Sequence, residues 1–489
     1  ATWAAKSQRA GRILVPILDI LQSVPILGFI SVTVVFFLSL APGRVLGAEF
    51  AAIFAIFTSQ AWNMAFSFYQ SLRTIPKELV EASKSFRMSA WSRFWQLEVP
   101  FGMPQLIWNM MMSMSGGWFF VVASEAISVG NTNVSLPGVG AYIAQAIAEK
   151  NLAAVGYAII AMMIVILLYD QLFFRPLVAW ADRFRFDNEP GAIAPTSWVY
   201  DVLKRSTWIN QTRRSVRSGF SALARTFKHQ TPKILLETPV RTSHLDWFAT
   251  GLLVFIVVLC GYKAAWFLAP ELTWADLGET LGQGFLTMIR VFVLIALASV
   301  VWVPVGVLVG LRPQAARIVQ PIAQFLAAFP TNLVFPVAVF AIIRFHLNPE
   351  IWLSFLMILG TQWYILFNVI AGASAIPSEM RAVSENLKIR GWLWWKKVAI
   401  PAVFPFYVTG ALTASGGSWN ASIAAEIASW GDEHVRATGL GAYITEATNS
   451  GDYHRIILGV VTMSFYVLLI NRLVWRPLYY YAERKFRLE

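Results

Sequence analysis

The sequence is poor in charge and almost free of cysteine. Asp, Glu, Lys and Arg make up 13% of its 489 residues, against roughly 25% in an ordinary soluble domain. So few charges cannot furnish polar surfaces for the several domains that this length would otherwise suggest. The lone cysteine, Cys260, excludes an intrachain disulfide and a cysteine-held metal cluster. Five histidines are scattered, with no HxxxH or HExxH pair. No GxxxxGK loop offers a phosphate cradle, and no Ser/His/Asp or Cys/His arrangement suggests a nucleophile. No basic-apolar-small leader opens the chain, so its first apolar stretch is read as a true span.

Apolar residues are abundant. The chain is 57% hydrophobic with 21 Trp and 35 Phe, and its mean hydropathy is +0.57. Lipid is therefore the expected solvent for most of it. The net charge is +12, but the Lys and Arg sit in short segments between apolar runs, as the positive-inside rule predicts. No basic strip interleaved with stacking aromatics is present, so nucleic acid is not an expected partner.

Stretches long enough to cross roughly 30 Å of hydrocarbon lie near 13–40, 48–70, 102–128, 153–175, 246–268, 281–310, 321–345, 351–372, 402–429 and 455–475. The fold class is an all-α polytopic membrane protein of about ten spans, because barrel-type alternation is not visible. The basic segments 71–100 and 373–400 are placed in the cytoplasm, and so is the C-terminal tail with Arg484, Lys485 and Arg487. The loops 129–152 and 430–454, with one basic residue each (Lys150 and Arg436), are placed outside.

The chain repeats itself. Arg12–Pro25 matches Arg317–Pro330 at six of 14 positions, 305 residues apart. From Trp62 and Trp363 onward the spacing is 301, and residues 167–186 match at eight of 20 positions. Both copies keep the basic loop on one side, so they are parallel and relate by an axis along the membrane normal. The expected organisation is a first half over 1–186 with four spans, a linker over 187–245, and a second half over 246–489 with six. The missing pair of spans is expected upstream of Ala1. Arg213, Arg214, Arg217, Arg225 and Lys228 of the linker alternate with apolar residues. That pattern suits either a basic amphipathic helix on the inner leaflet or a plain tether.

Between the penultimate spans of each half runs a short motif. Pro76-Lys-Glu78-Leu-Val-Glu81-Ala82-Ser83 leads to Val99-Pro100, and Pro377-Ser-Glu379-Met-Arg-Ala382-Val-Ser384 leads to Ile400-Pro401. A Pro at the start and an acid in the first turn describe a short helix. These segments resemble the EAA loop of permease subunits of bacterial ABC importers that use a substrate-binding protein. The resemblance implies a type I importer permease with both halves fused. Its coupling helices would be Pro76, Glu78, Glu81, Ala82, Ser83 and Pro100, then Pro377, Glu379, Ser384 and Pro401. The departures are Arg87 and Lys388 where that family has Gly, and Ala382 where it has Glu.

Further features resemble the nitrate, sulfonate, taurine and bicarbonate branch. They are Pro16, Pro25, Pro321 and Pro330, the run Gly-Gly-Ser-Trp419-Asn-Ala-Ser-Ile ending in Glu426, Gly-Leu-Gly441-Ala-Tyr, and Arg476-Pro-Leu. The resemblance implies a non-catalytic inner-membrane subunit without cofactor of its own, ATP and Mg belonging to two cytoplasmic ABC ATPase subunits. An extracytoplasmic binding protein would deliver a small anion, and membrane lipid would surround the spans. Fused permeases for ferric iron or thiamine are an alternative, and so is an ion-gradient carrier, which would need mid-membrane acids and no matched cytoplasmic loops.

Glu125 and Glu426 stand at equivalent places near the ends of two spans. An acid inside a membrane costs about 2.5–3.5 kcal/mol and needs a partner or a wet path. With Ser115, Trp118, Trp419, Asn420 and Ser422 on the same helices, these two acids are the candidate translocation path. Helix packing is the competing reading for all of them. Arg290 is expected to pair with an acid or carbonyl rather than stand free for an anion.

Overall fold

The computed structural model describes residues 1–23, 25–40, 45–129, 132–184, 197–205 and 266–486, with isolated positions between 251 and 263. More than half of the expected span 246–268, most of the linker 187–245, and Cys260 lie outside the described residues.

Among the described residues the regular structure is helical apart from two hairpins, each of two four-residue strands. Val45–Arg73, Leu152–Phe184, Trp274–Gly310, Gly391–Ala425 and Tyr453–Phe486 are each long and apolar enough to cross a membrane. Three bent pairs bring the number to eight. The two expected spans not among them are 246–268 and 13–40. The latter is no single helix: Gln8–Ser23 stops, and Ile26–Leu40 begins after Pro25. Its counterpart in the second half breaks likewise, Pro313–Ala328 meeting Thr331–Arg344 at 69° around Pro330. Proline removes the amide donor and clashes with the preceding turn, so a break there follows directly. The expected span 351–372 is also bent, by 46°, between Leu359 and Gln362.

The internal repeat recurs in the element boundaries. The short helices Lys77–Ser85 and Ser378–Asn386 begin 301 positions apart, 77 to 378. The same shift relates the π-helical turns Phe94–Glu98 and Trp395–Ala399, and also Asp170–Phe174 and Asn471–Trp475. In a π turn, residues five apart stack along the axis. Arg93 pairs with Glu98 at 3.1 Å and Asp170 with Arg175 at 3.0 Å, bracketing both π turns of the first half. Their counterparts Trp394, Ala399 and Asn471 cannot form such pairs.

Two expected spans overrun their helices. Val99–Glu125 and Ile400–Ala425 give way to hairpins, β1 (Ala126–Val129) with β2 (Thr132–Ser135), and β3 (Ile427–Trp430) with β4 (Glu433–Arg436). The second turns on Gly431, whose φ of +61° suits glycine at the first position of a two-residue loop.

Two compact units divide the chain. One comprises residues 1–19, 61–113 and 164–261, and the other 20–60, 114–163 and 262–489. In the first, Glu98 is buried and meets Lys6 at 2.8 Å as well as Arg93. The second holds the main apolar core, including Leu294, Leu353, Val369, Trp419, Leu440 and Met463. Gly306 and Gly310 of Trp274–Gly310 let it approach Gln362–Ser374 closely. A Cβ at Gly310 would fall 2.6 Å from the Ile370 carbonyl oxygen. Small residues four apart serve this purpose between membrane helices, where close backbone packing drives association.

Candidate functional site

The short helices Lys77–Ser85 and Ser378–Asn386 share one construction. Pro76 and Pro377, with ψ of 139° and 144°, turn the chain into the first helical residue. Glu78 and Glu379 lie in the first turn, where they oppose the positive end of the helix dipole. Pro76, Glu78, Glu81, Ala82, Pro377 and Glu379 are exposed, as is Ala382. Ser83 and Ser384 are buried, and each donates its hydroxyl at 2.7 Å to the carbonyl three residues back, Val80 and Arg381. Each helix thus offers a charged face outward and anchors itself through a serine. Phe86 and Leu387, the C-cap residues, are large, apolar and 80% and 66% exposed. Pro100 and Pro401 stand half-buried at the start of the long helices that follow.

Both helices end in the same cap. Met88 N donates to Ser83 O and Arg87 N to Lys84 O, and Ile389 N to Ser384 O and Lys388 N to Glu385 O. This is the Schellman pattern, whose C′ residue is left-handed and usually glycine. Here Arg87 and Lys388 occupy it with φ of 51° and 53°. A side chain there costs roughly 1 kcal/mol. Arg87→Gly and Lys388→Gly should therefore stabilise the caps by about that amount, and amide exchange at Met88 and Ile389 should slow about fivefold. Hydrogen-exchange mass spectrometry reads this directly, and unchanged exchange would refute the strain.

A second constellation lies at the hairpin end of the long helices. Glu426 is wholly buried and accepts from Gly441 N at 2.7 Å and Ala442 N at 3.2 Å. It also accepts from Thr287 Oγ1 at 2.8 Å and Arg290 Nη1 at 3.1 Å. Leu440 N donates at 2.9 Å to the same threonine hydroxyl. The first amides of Leu440–Ser450 have no partner within their own helix, and Thr287 and Glu426 satisfy them. Gly439 and Gly441 permit this approach, because a Cβ on either would come within 2.3 Å of Glu426 Oε2 or Ser422 O. The Gly-Leu-Gly441-Ala-Tyr motif is thereby explained.

Arg290 also pairs with Glu350, which in turn accepts from Thr438 N at 2.9 Å and Thr438 Oγ1 at 2.8 Å. Arg290 is held between two carboxylates. Sequence reasoning leaves an acid or a carbonyl open for Arg290 and names neither partner, since Glu350 and Glu426 stand 60 and 136 residues away.

The first half holds a reduced form of this arrangement. Glu125 accepts from Gly140 N at 2.5 Å, and Gly138 and Gly140 leave the room that their counterparts leave. Glu125 is half-buried.

The residues proposed from sequence as a path are placed as follows. Trp419 and Ser422 are buried in the core, Ser422 donating to Trp419 O at 2.8 Å, and Glu426 is enclosed by protein on every side. This is the environment of packing and capping groups. Trp118 and Asn420 are half-buried. The side chain of Ser115 lies outside the described residues. Asn420 accepts from Ile26 N at 2.8 Å. Exposed positions on the Ile400–Ala425 helix include Thr409 and Thr413, which sequence reasoning missed and which only the burial of the neighbouring faces singles out.

The sequence model of the family described as "binding-protein-dependent transport system inner membrane component" matches residues 1–183 and again residues 302–487. Among curated proteins, the chain is 31% identical over 192 residues to the bicarbonate transport system permease protein CmpB of Synechococcus elongatus, covering 39% of this chain and 66% of that one. It is 30% identical over 185 residues to the nitrate import permease protein NrtB of Leptolyngbya laminosa, covering 38% and 63%. A probable ABC transporter permease protein of Brucella melitensis is 26% identical over 200 residues, covering 40% and 76%. The chain thus spans slightly less than two thirds of the length of the first two.

Proposed function

Because the chain belongs to the inner membrane components of binding-protein-dependent transport systems, we propose that it forms both halves of the translocation path of an ATP-driven importer. The observation that carries this reading is the matched pair of short helices, Lys77–Ser85 and Ser378–Asn386, each with a proline start, a buried serine and a protruding apolar cap. In this reading each docks on one cytoplasmic ABC ATPase, through Glu78, Glu81 and Ala82 in the first half and Glu379 in the second. Ser83 and Ser384 hold the helices, and Pro100 and Pro401 pass movement into the long helices beyond.

The C-terminus and both short helices then face the cytoplasm, and the hairpins face an extracytoplasmic binding protein. ATP and Mg are handled by the partner chains. The halves comprise 1–186 and 246–489, joined by 187–245, and rock about a shared axis to give alternating access. A small anion is the proposed solute, of the kind named for the bicarbonate and nitrate permeases to which the chain is similar. Within the path we place Trp118, half-buried at the position equivalent to Trp419, while Trp419, Asn420, Ser422 and Glu426 pack and cap the helices behind it.

Purification from native membranes in mild detergent tests the class. Two Walker-motif ATPase chains per permease chain are expected, and a permease that purifies alone in several detergents would overturn the reading. Glu81→Lys, at an exposed position, should leave the melting temperature within about 1 °C, since exposed substitutions seldom exceed 0.5 kcal/mol. It should nevertheless lower uptake of labelled nitrate or bicarbonate by proteoliposomes. Unaltered uptake would remove the first short helix from the docking surface.

A further inference from the structure

The two broken helices carry a reciprocal contact that the proposed function does not require in advance. Pro25 and Pro330 are equivalent positions of the repeat, as are Phe119 and Asn420. After Pro25, the Ile26 N–H donates to Asn420 Oδ1 of the second half at 2.8 Å. After Pro330, Asn332 Nδ2 donates to the Phe119 carbonyl of the first half at 3.1 Å. Each half's break therefore meets the other half's long helix at the same position, and an asparagine makes the bond both times. All four residues lie in one compact unit.

Hydrogen-bonding need explains the location. A break inside a membrane helix frees backbone groups that lipid cannot satisfy. Ile26 is buried, and its amide finds its acceptor in Asn420. In the second half the chain makes a 3-10 turn over Thr331–Leu333, and the Asn332 side chain reaches across instead. The two bonds differ in polarity: Asn420 accepts and Asn332 donates. Neither amide is saturated. Asn332 Oδ1 is buried without a partner, and Asn420 Nδ2 has only a 3.4 Å contact to Gly416 O. The packing beside them is tight, since a Cβ at Gly28 would come within 2.8 Å of Val460 Cγ2.

We propose that Asn420 and Asn332 are positioning residues that latch the two halves together at the level of the helix breaks, and that both bonds open and re-form in each transport cycle. The inference rests on the importer reading above. A latch of this kind holds the resting state closed. Its loss should let the halves part without the binding protein, and the ATPases should then turn over unstimulated.

The test uses the purified assembly of the chain with its co-purifying ATPases, reconstituted without binding protein. Asn420→Leu and Asn332→Leu should each raise basal ATP hydrolysis about threefold to tenfold, the ratio that one lost hydrogen bond supplies. A merely structural role would lower hydrolysis together with stability. The aspartate variants read the polarity. Asn420→Asp still accepts from the Ile26 amide and should stay near wild type, whereas Asn332→Asp sets an anion against the Phe119 carbonyl and should behave as Asn332→Leu. If the leucine variants fail to assemble, this aspartate comparison decides. Unchanged basal hydrolysis in both leucine variants, or equal behaviour of the two aspartate variants, overturns the latch and leaves the importer reading intact. A wild-type assembly that hydrolyses no ATP overturns both.

Discussion

Glu426→Ala should be among the most damaging single substitutions in the chain, costing about 3–5 kcal/mol in the unit that contains it. The carboxylate is wholly buried and serves four donors: Arg290, Thr287, Gly441 N and Ala442 N. Removing it leaves the guanidinium with Glu350 alone and orphans two helix-start amides. Replacing one member of a buried ion pair is far worse than replacing both, because the survivor keeps its desolvation cost. Glu125→Ala at the equivalent position should cost only about 1–2 kcal/mol, since Glu125 is half-buried and accepts from the Gly140 amide without a guanidinium beside it among the described residues. Glu426→Gln should fall between, keeping shape and acceptor but losing charge. Thermal unfolding of the purified protein in one detergent gives the order. Equal losses at 125 and 426 would mean that Arg290 contributes nothing to the site.

That comparison bears on how the transport reading treats these acids. A membrane-embedded glutamate invites assignment to an ion path, and sequence alone leaves that open. The structure encloses Glu426 among donors it satisfies, so its role is to fix the hairpin β3–β4 and the start of Leu440–Ser450 to Trp274–Gly310. Four donors from two helices, Thr287 and Arg290 on one and the Gly441 and Ala442 amides on the other, thereby hold this carboxylate out of solvent.

Much of the architecture could be read from the residues. The repeat, its 301-residue spacing and the two short helices all follow from local patterns such as Pro-x-Glu and a serine at fixed distance. Apolar content alone hides the hairpins, because Ala126–Val129 and Ile427–Trp430 are apolar enough to extend a helix. The signal was present in Gly130-Asn131 and Gly431-Asp432, dipeptides that favour two-residue turns. The breaks at Pro25 and Pro330 were visible as prolines, yet hydropathy averaged across them. The π turns were not legible, since one inserted residue leaves no compositional trace. Only the five-residue spacing of Arg93 with Glu98 and Asp170 with Arg175 hints at them. The Arg290–Glu350–Glu426 cluster joins residues with no local relation, and no periodicity could announce it.

The second large effect is expected at Gly310. A Cβ there would stand 2.6 Å from Ile370 O, 2.7 Å from Ala373 Cβ and 3.2 Å from Ser374 N, and Ser374 Oγ donates to Gly310 O at 3.1 Å. These are backbone atoms and a methyl with nowhere to turn, so Gly310→Leu must push Gln362–Ser374 away, at about 1–3 kcal/mol or more. The displaced end lies four residues before Ser378, where the second short helix begins. In the proposed importer, a push on that helix by an ATPase would reach Trp274–Gly310 through this contact. Gly310→Leu should therefore lower uptake by proteoliposomes roughly tenfold or more, the ratio matching about 1.4 kcal/mol. Gly416→Ala, where no atom lies within 4 Å of the added methyl, is the matched control and should transport normally. If Gly310→Leu does not reach the membrane, Gly310→Ala introduces the same clash with the smallest side chain and decides the point. Normal uptake in a correctly inserted Gly310 variant would show that movement of the short helix passes to the long helices by another route, of which Pro401 and the helix it opens are the remaining candidates.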